Sequence, residues 1–304
     1  MARLPQNLLW GAGALLVGAL IAGIAALFTL SSHGGSAVGP GQVQPGTVAA
    51  APAPPRGAIV LGQEVGTRAV ALAVQPKALT ATVLAPSGDP AGGLEVSFRM
   101  AGSSRRAQPC GLGCYTASIT QRPSRVEVVL PNGSASFRIP RTTRPGAAIV
   151  AHAGRVFRGL RSLVYVESLR SGPTGGLVTT WKLGAPDKVA YQIHGGAAAV
   201  IIGTRRWDQA KPGAKWVESQ STALQVPAPT WGSDVIDPNV LGSSTVNGRA
   251  VWMVSFATPS VPAWFSAWID KRTYRTLQLR MTAAAHFMFH RYTQFNGRLK
   301  IAPP

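Results

Sequence analysis

Residues 8–30 read LLWGAGALLVGALIAGIAALFTL, 23 residues without a charge. A bilayer core needs roughly 20 helical residues to be crossed, so this segment is long enough to span one. A cleavable signal has a shorter apolar stretch with a small-x-small site close behind it. Here Ala51-Pro52-Ala53 lies too far downstream, and no Cys directly follows the apolar stretch for lipoprotein processing. The expectation is an uncleaved single-pass anchor in the cell membrane. Arg3 precedes it and the next basic residue is Arg56, which places the N-terminus in the cytoplasm and the rest outside. Ala14, Gly18, Ala22 and Ala26 fall four apart; such a face lets helices approach closely, although Ala and Gly abound throughout the segment.

Residues 31–56 are rich in Gly, Pro, Ala and Ser without apolar periodicity, and are expected to be a disordered tether. As polyproline it would reach about 80 Å, at roughly 3.1 Å per residue.

From residue 57 to 142 the period is two. Val70, Leu72 and Val74 alternate with Ala69, Ala71 and Ala73; Leu94, Val96 and Phe98 alternate with Glu95, Ser97 and Arg99; Val126, Val128 and Leu130 repeat the pattern. Turn signals at 85–90, Gly92-Gly93 and Pro131-Asn132-Gly133 separate the runs, which indicates an Ig-like antiparallel β-sandwich. The two cysteines, Cys110 and Cys114, flank Gly-Leu-Gly. In an oxidising compartment they read as a disulfide. The alternative is a copper site in which the thiolates join Met100. The strand pattern, with ALTATVLAPSGDPAGGLEVSF and CGLGCY, resembles the YtkA-like and CopC-like sandwich modules of bacterial copper-handling proteins. That family uses His and Met clusters, and this stretch has no histidine, so the resemblance implies the fold and not the metal chemistry.

Residues 143–304 begin with a helical stripe. Ile149, Ala153, Val156, Leu160 and Leu163 predict a helix over 147–163, with Arg155, Arg158 and Arg161 on its other face. Ten or so alternating runs follow: SLVYVESLRS, LVTTWKLG, KVAYQIH, AAAVIIGTRRW, KWVESQ, STVNG, RAVWMVSFA, AWFSAWID, YRTLQLRM and HFMFHRYTQF. Asn247-Gly248, Thr174-Gly175-Gly176 and residues 270–273 supply hairpin turns. The expected fold is mainly β, ending in a curved antiparallel half-barrel packed on one helix. One helix plus a long meander resembles the LolA/LolB-like lipoprotein-carrier family. The features that carry the likeness are SLVYVESLRSG, APDKVAY at 185–191, Arg206-Trp207-Asp208, Trp264-Phe265 with Ile269-Asp270, and MTAAAHFMFHRYTQFN. The resemblance implies an apolar cavity for acyl chains, with no cofactor. Trp181, Tyr191, Trp207, Trp252, Trp264 and Phe265 are the candidate lining residues; the same rings can equally fill a closed core. The Pro-rich stretch at 226–231 reads as a lid or as a rigid loop. His286, Met288 and His290 share one strand face, a second candidate copper set; the plainer reading has Phe287 and Phe289 facing the core and the histidines facing solvent.

The net charge is +19, and most of the excess lies after residue 142. It favours an anionic membrane or wall surface, while the extracytoplasmic setting disfavours nucleic acid. There is no Gly-x-Ser-x-Gly, no phosphate-cradling Gly-x-x-x-x-Gly-Lys and no His-Glu-x-x-His, and with only eleven carboxylates the expectation is a non-catalytic protein. Three functions stay open: a lipid-binding protein, a copper-homeostasis accessory protein, and a protein-contact module.

Overall fold

The computed structural model describes residues 51–304. The expected membrane segment and most of the expected tether lie outside these residues. Among the described residues no helix is long and apolar enough to cross a membrane.

The first nine strands form two sheets. One has the order β1 (Ile59–Val65), β2 (Arg68–Val74), β3 (Ala78–Leu84), β7 (Cys114–Ser118), β6 (Gln108–Gly111). The other has the order β5 (Ser103–Arg106), β4 (Ser97–Met100), β8 (Arg125–Leu130), β9 (Gly133–Arg138). Side chains alternate across a strand, so Val70, Leu72 and Val74 point between the sheets and pack with Phe98, Val126, Val128 and Phe137. Burying each such side chain contributes about 1.5–3 kcal/mol.

Twelve antiparallel strands make the larger sheet. Its order is β10 (Arg144–Pro145), β17 (Ile236–Val246), β18 (Arg249–Thr258), β19 (Ala263–Asp270), β20 (Thr276–Ala283), β21 (His286–Phe295), β11 (Ser162–Arg170), β12 (Leu177–Gly184), β13 (Lys188–Ile193), β14 (Ala198–Ile202), β15 (Arg205–Gln209), β16 (Val217–Gln220). The last strand in sequence therefore pairs with the strand that follows the helix. This joins two meanders edge to edge.

Helix α1 (Ala147–Arg158) lies against this sheet. It stops five residues before the expected end. Gly159 is a poor helix former. The Leu160 amide bonds back to the Phe157 carbonyl, and the Arg161 amide donates to Asn296 Oδ1 at 2.7 Å. The buried stripe is Ile149, Val150, Ala153, Gly154 and Phe157, rotated from the expected one. AAAVIIGTRRW is not one strand: β14 and β15 turn at Gly203-Thr204.

The two parts meet at an apolar seam. Ala69, Ala71 and Ala73, on the second face of β2, pack with Ala58, Val60 and Leu84 against Ala257, Trp264 and Phe287 of the large sheet. Methyl side chains let the sheets approach closely. Gly62 is a point of close approach: a Cβ there would sit 2.8 Å from Trp264 Cβ and 2.9 Å from Thr282 Cβ. Polar bonds border the seam. The Gly57 amide donates to Asp237 Oδ1 at 2.7 Å, Asn239 Nδ2 donates to the Ala58 carbonyl at 3.0 Å, and Arg170 pairs with Glu64. The last residues of the expected tether are part of this packing: Ala51 joins the seam cluster, and the Pro52 ring lies over Gly111.

Candidate ligand-binding face

On the helix side of the large sheet, register aligns aromatic side chains across neighbouring strands. Tyr292, Tyr165, Trp181 and Tyr191 are successive Cα partners on β21, β11, β12 and β13. Their ring centroids are 5.3, 5.9 and 4.9 Å apart, within the range of favourable aromatic pairs. A second row, His290, Glu167, Thr179 and Ile193, runs beside it.

Glu167 and His290 are almost fully buried, with Nε2 and Oε2 2.8 Å apart. His290 Nδ1 lies 3.1 Å from the Tyr292 hydroxyl. Burial, with the nearby Glu167 and Tyr292, pushes the Tyr165 phenol well up, and burial does the same for Tyr292. At the far end of the row burial pushes Tyr191 up to about 12, against the neighbouring Arg206 charge. Arg206 is held by both oxygens of Asp208, each at 2.7 Å, and those bonds raise its own pKa. The Trp181 Nε1 is buried without an acceptor among the described residues. Leu177, of the same parity as Trp181 on β12, is 38% exposed.

Residues 221–235, between β16 and β17, cross this face as a strap. Trp231 is its deepest residue, packing edge-on to Phe157 of the helix at 6.1 Å and to Phe256 of the sheet at 5.7 Å. Leu224, Val226 and Val235 join the same cluster. The strap is tied down by the Val226 amide to the Pro186 carbonyl at 2.8 Å and by Asp234, which accepts from the Ser260 amide at 2.9 Å and from its hydroxyl. The Pro-rich stretch thus supplies a plug for the core between helix and sheet.

The six candidate lining residues fall in three environments. Trp181, Tyr191, Trp252 and Phe265 are on the helix side; Trp252 packs on Tyr274 under Arg144, and Phe265 stacks on Phe256. Trp207 is on the other face, where its Nε1 donates to Glu218 and Arg205 covers its ring. Trp264 is in the seam. Adjacent residues on a strand point oppositely, so Trp264 and Phe265 cannot line one cavity. Tyr165, Glu167 and Tyr292 were missed. Their signal was parity: Glu167 shares a face with Leu163, Tyr165 and Leu169.

The side chains of the two candidate copper sets have other partners. Cys110 and Cys114 form a disulfide, so no thiolate remains for Met100 to join. Gly113 permits the tight loop: its φ is +64°, and a Cβ would lie 2.7 Å from the Val83 carbonyl oxygen. His286, Met288 and His290 do share a face, but His286 Nδ1 is 3.0 Å from the Ala284 carbonyl and His290 is committed to Glu167 and Tyr292. Among the described residues no group of three or more His, Cys, Asp or Glu is placed to hold a metal. His290 faces the interior, not solvent; Phe287 packs in the seam and Phe289 against Trp268.

No family model matches the chain, and no curated protein matches it. Solved structures that are similar to it include the lipoprotein LppX of Mycobacterium tuberculosis, at 12% identity and a TM-score of 0.41, over 51% of this chain and 97% of that one. LprF from Mycobacterium bovis follows at 11% and 0.38, over 52% and 95%. A LolA superfamily protein from Nitrosomonas europaea aligns at 9% and 0.26, over 53% and 96%.

Proposed function

We propose that this chain is a membrane-anchored extracytoplasmic binding protein that holds an acyl lipid or similar apolar ligand against the aromatic row, beneath the 221–235 strap. The observation that carries this reading is the Trp181 indole, whose N–H is buried in an apolar wall with no acceptor. A buried donor without a partner costs about 1–3 kcal/mol. A ligand with an ester or carboxyl oxygen at one end of an apolar body satisfies that donor and covers the exposed Leu177. The plugged core gives the ligand a condition for entry: the strap carrying Trp231 must shift. The uncharged segment at residues 8–30 supplies the anchor, and the basic surface favours an anionic membrane.

Native mass spectrometry of the full chain tests this. An acyl-lipid adduct that weakens in Trp181→Phe, which keeps the ring and loses the donor, supports it. A wild-type chain with no adduct and no uptake of a fluorescent fatty acid overturns it, and leaves a protein-contact module as the reading.

A further inference from the structure

On the opposite face of the large sheet, a cleft of about 160 Å³ opens along the seam. Both parts of the protein build it. Gln63 on β1 and Arg138 on β9 come from the sandwich; Met253, Ser266, Trp268 and Arg280 come from β18, β19 and β20. Two arginines, Arg138 and Arg280, line the cleft and no Asp or Glu does. Neither Arg138 nor Arg280 has an ion pair among the described residues, a state they share with most of the described arginines; what sets them apart is that they line one cleft. The remaining lining is apolar or neutral, with Trp268 and Met253 offering flat and flexible apolar surface.

We infer that this cleft binds a small amphiphilic anion: a phosphate or carboxylate held by Arg138 and Arg280, with a short apolar body against Trp268 and Met253. Two cationic residues at the wall of one cleft, with no carboxylate in its lining, favour an anion there. Guanidinium bonds to an oxyanion are charge-assisted and directional. The volume is below the roughly 300–1,000 Å³ of drug-sized sites, so the bound portion is small. Because the arginines come from different parts of the protein, the ligand also bridges the seam. The site is on the other face of the sheet from the aromatic row and does not depend on the reading given for that row.

Calorimetric titration of the full chain, held in phosphatidylcholine discs, tests the site with phenyl phosphate. Phenyl phosphate binds the wild type more tightly than inorganic phosphate or phenol does. Arg138→Gln/Arg280→Gln weakens it by about ten-fold or more, while Arg298→Gln/Lys300→Gln, which removes the same two charges from the exposed tail, leaves it within about two-fold. Discs containing phosphatidic acid separate the two sources of such a group. Competition with phenyl phosphate marks a lipid head group and lack of competition marks a soluble ester; the site stands in both cases. No binding by the wild type, equal binding by the double variant, or phenol binding as tightly as phenyl phosphate overturns the proposal.

Discussion

His290 on β21 and Glu167 on β11 are direct cross-strand partners, 2.8 Å apart and shut away from water. Removing one member of such a pair is costly because it strands the other. Glu167→Leu is expected to destabilise by about 1–3 kcal/mol by leaving the His290 nitrogen without its partner, and Glu167→Leu/His290→Leu to recover most of that. Denaturant unfolding of both single variants and the double variant reads the coupling; simple additivity would mean that the pair contributes nothing as a pair.

Trp231 plugs the space between helix and sheet. Trp231→Ala is expected to cost about 3–5 kcal/mol and to raise binding of a hydrophobic dye. If the strap is a lid, the variant also takes up fluorescent fatty acid faster than the wild type.

Gly62 marks a close approach across the seam. Gly62→Ala places a methyl group where the backbone must yield, with an expected cost of about 1–3 kcal/mol. Calorimetric melting should split from one transition towards two as the seam loosens. A single unshifted transition would show that the seam absorbs a methyl group freely.

Asp270 closes the β19–β20 turn by accepting from the amides of Arg272 and Thr273, at 2.9 and 2.8 Å. Burial works to raise its pKa, but the Thr273 and Arg272 bonds, with help from Arg249, hold it below the ordinary value. The unfolded chain therefore binds this proton more readily than the folded one. The stabilisation is complete above about pH 4 and fades as pH falls through the lower folded value. Asp270→Asn should lose about 1–2 kcal/mol at neutral pH and flatten the acid limb of the stability curve, as read by urea melts at several pH values.

Tyr165, Tyr191 and Tyr292 carry the opposite dependence. Burial raises all three, Tyr191 to about 12. Above pH 10 the unfolded chain ionises these phenols while the folded chain keeps them protonated, so stability falls with rising pH. Tyrosinate absorbance should show their ionisation together with unfolding, and Tyr165→Phe should soften the alkaline limb.

Strands with unbroken alternation were legible. The bounds of β12, β19 and β21 coincide with LVTTWKLG, AWFSAWID and HFMFHRYTQF. β17 was not, apart from its last residues: Pro238 and Gly242 interrupt it, and its register shifts twice. Periodicity found the helix but overran Gly159, because the apolar spacing continues into β11 through Leu160 and Leu163. The candidate face was half legible. Trp181 and Tyr191 stood out as large rings, whereas Glu167 looked like an ordinary polar position in a strand. The seam was hidden for a different reason. Ala69, Ala71 and Ala73 read as weak filler beside Val and Leu, and only the facing sheet reveals that their smallness is used.

Gly57 and Ala58, just before β1, bond directly to Asp237 and Asn239, about 180 residues further on. This has a mechanical consequence. A pull arriving through the leading residues would not peel the sandwich away strand by strand. It would load β1 and the large sheet together, in shear across an apolar contact, so the folded region should resist tension as one body.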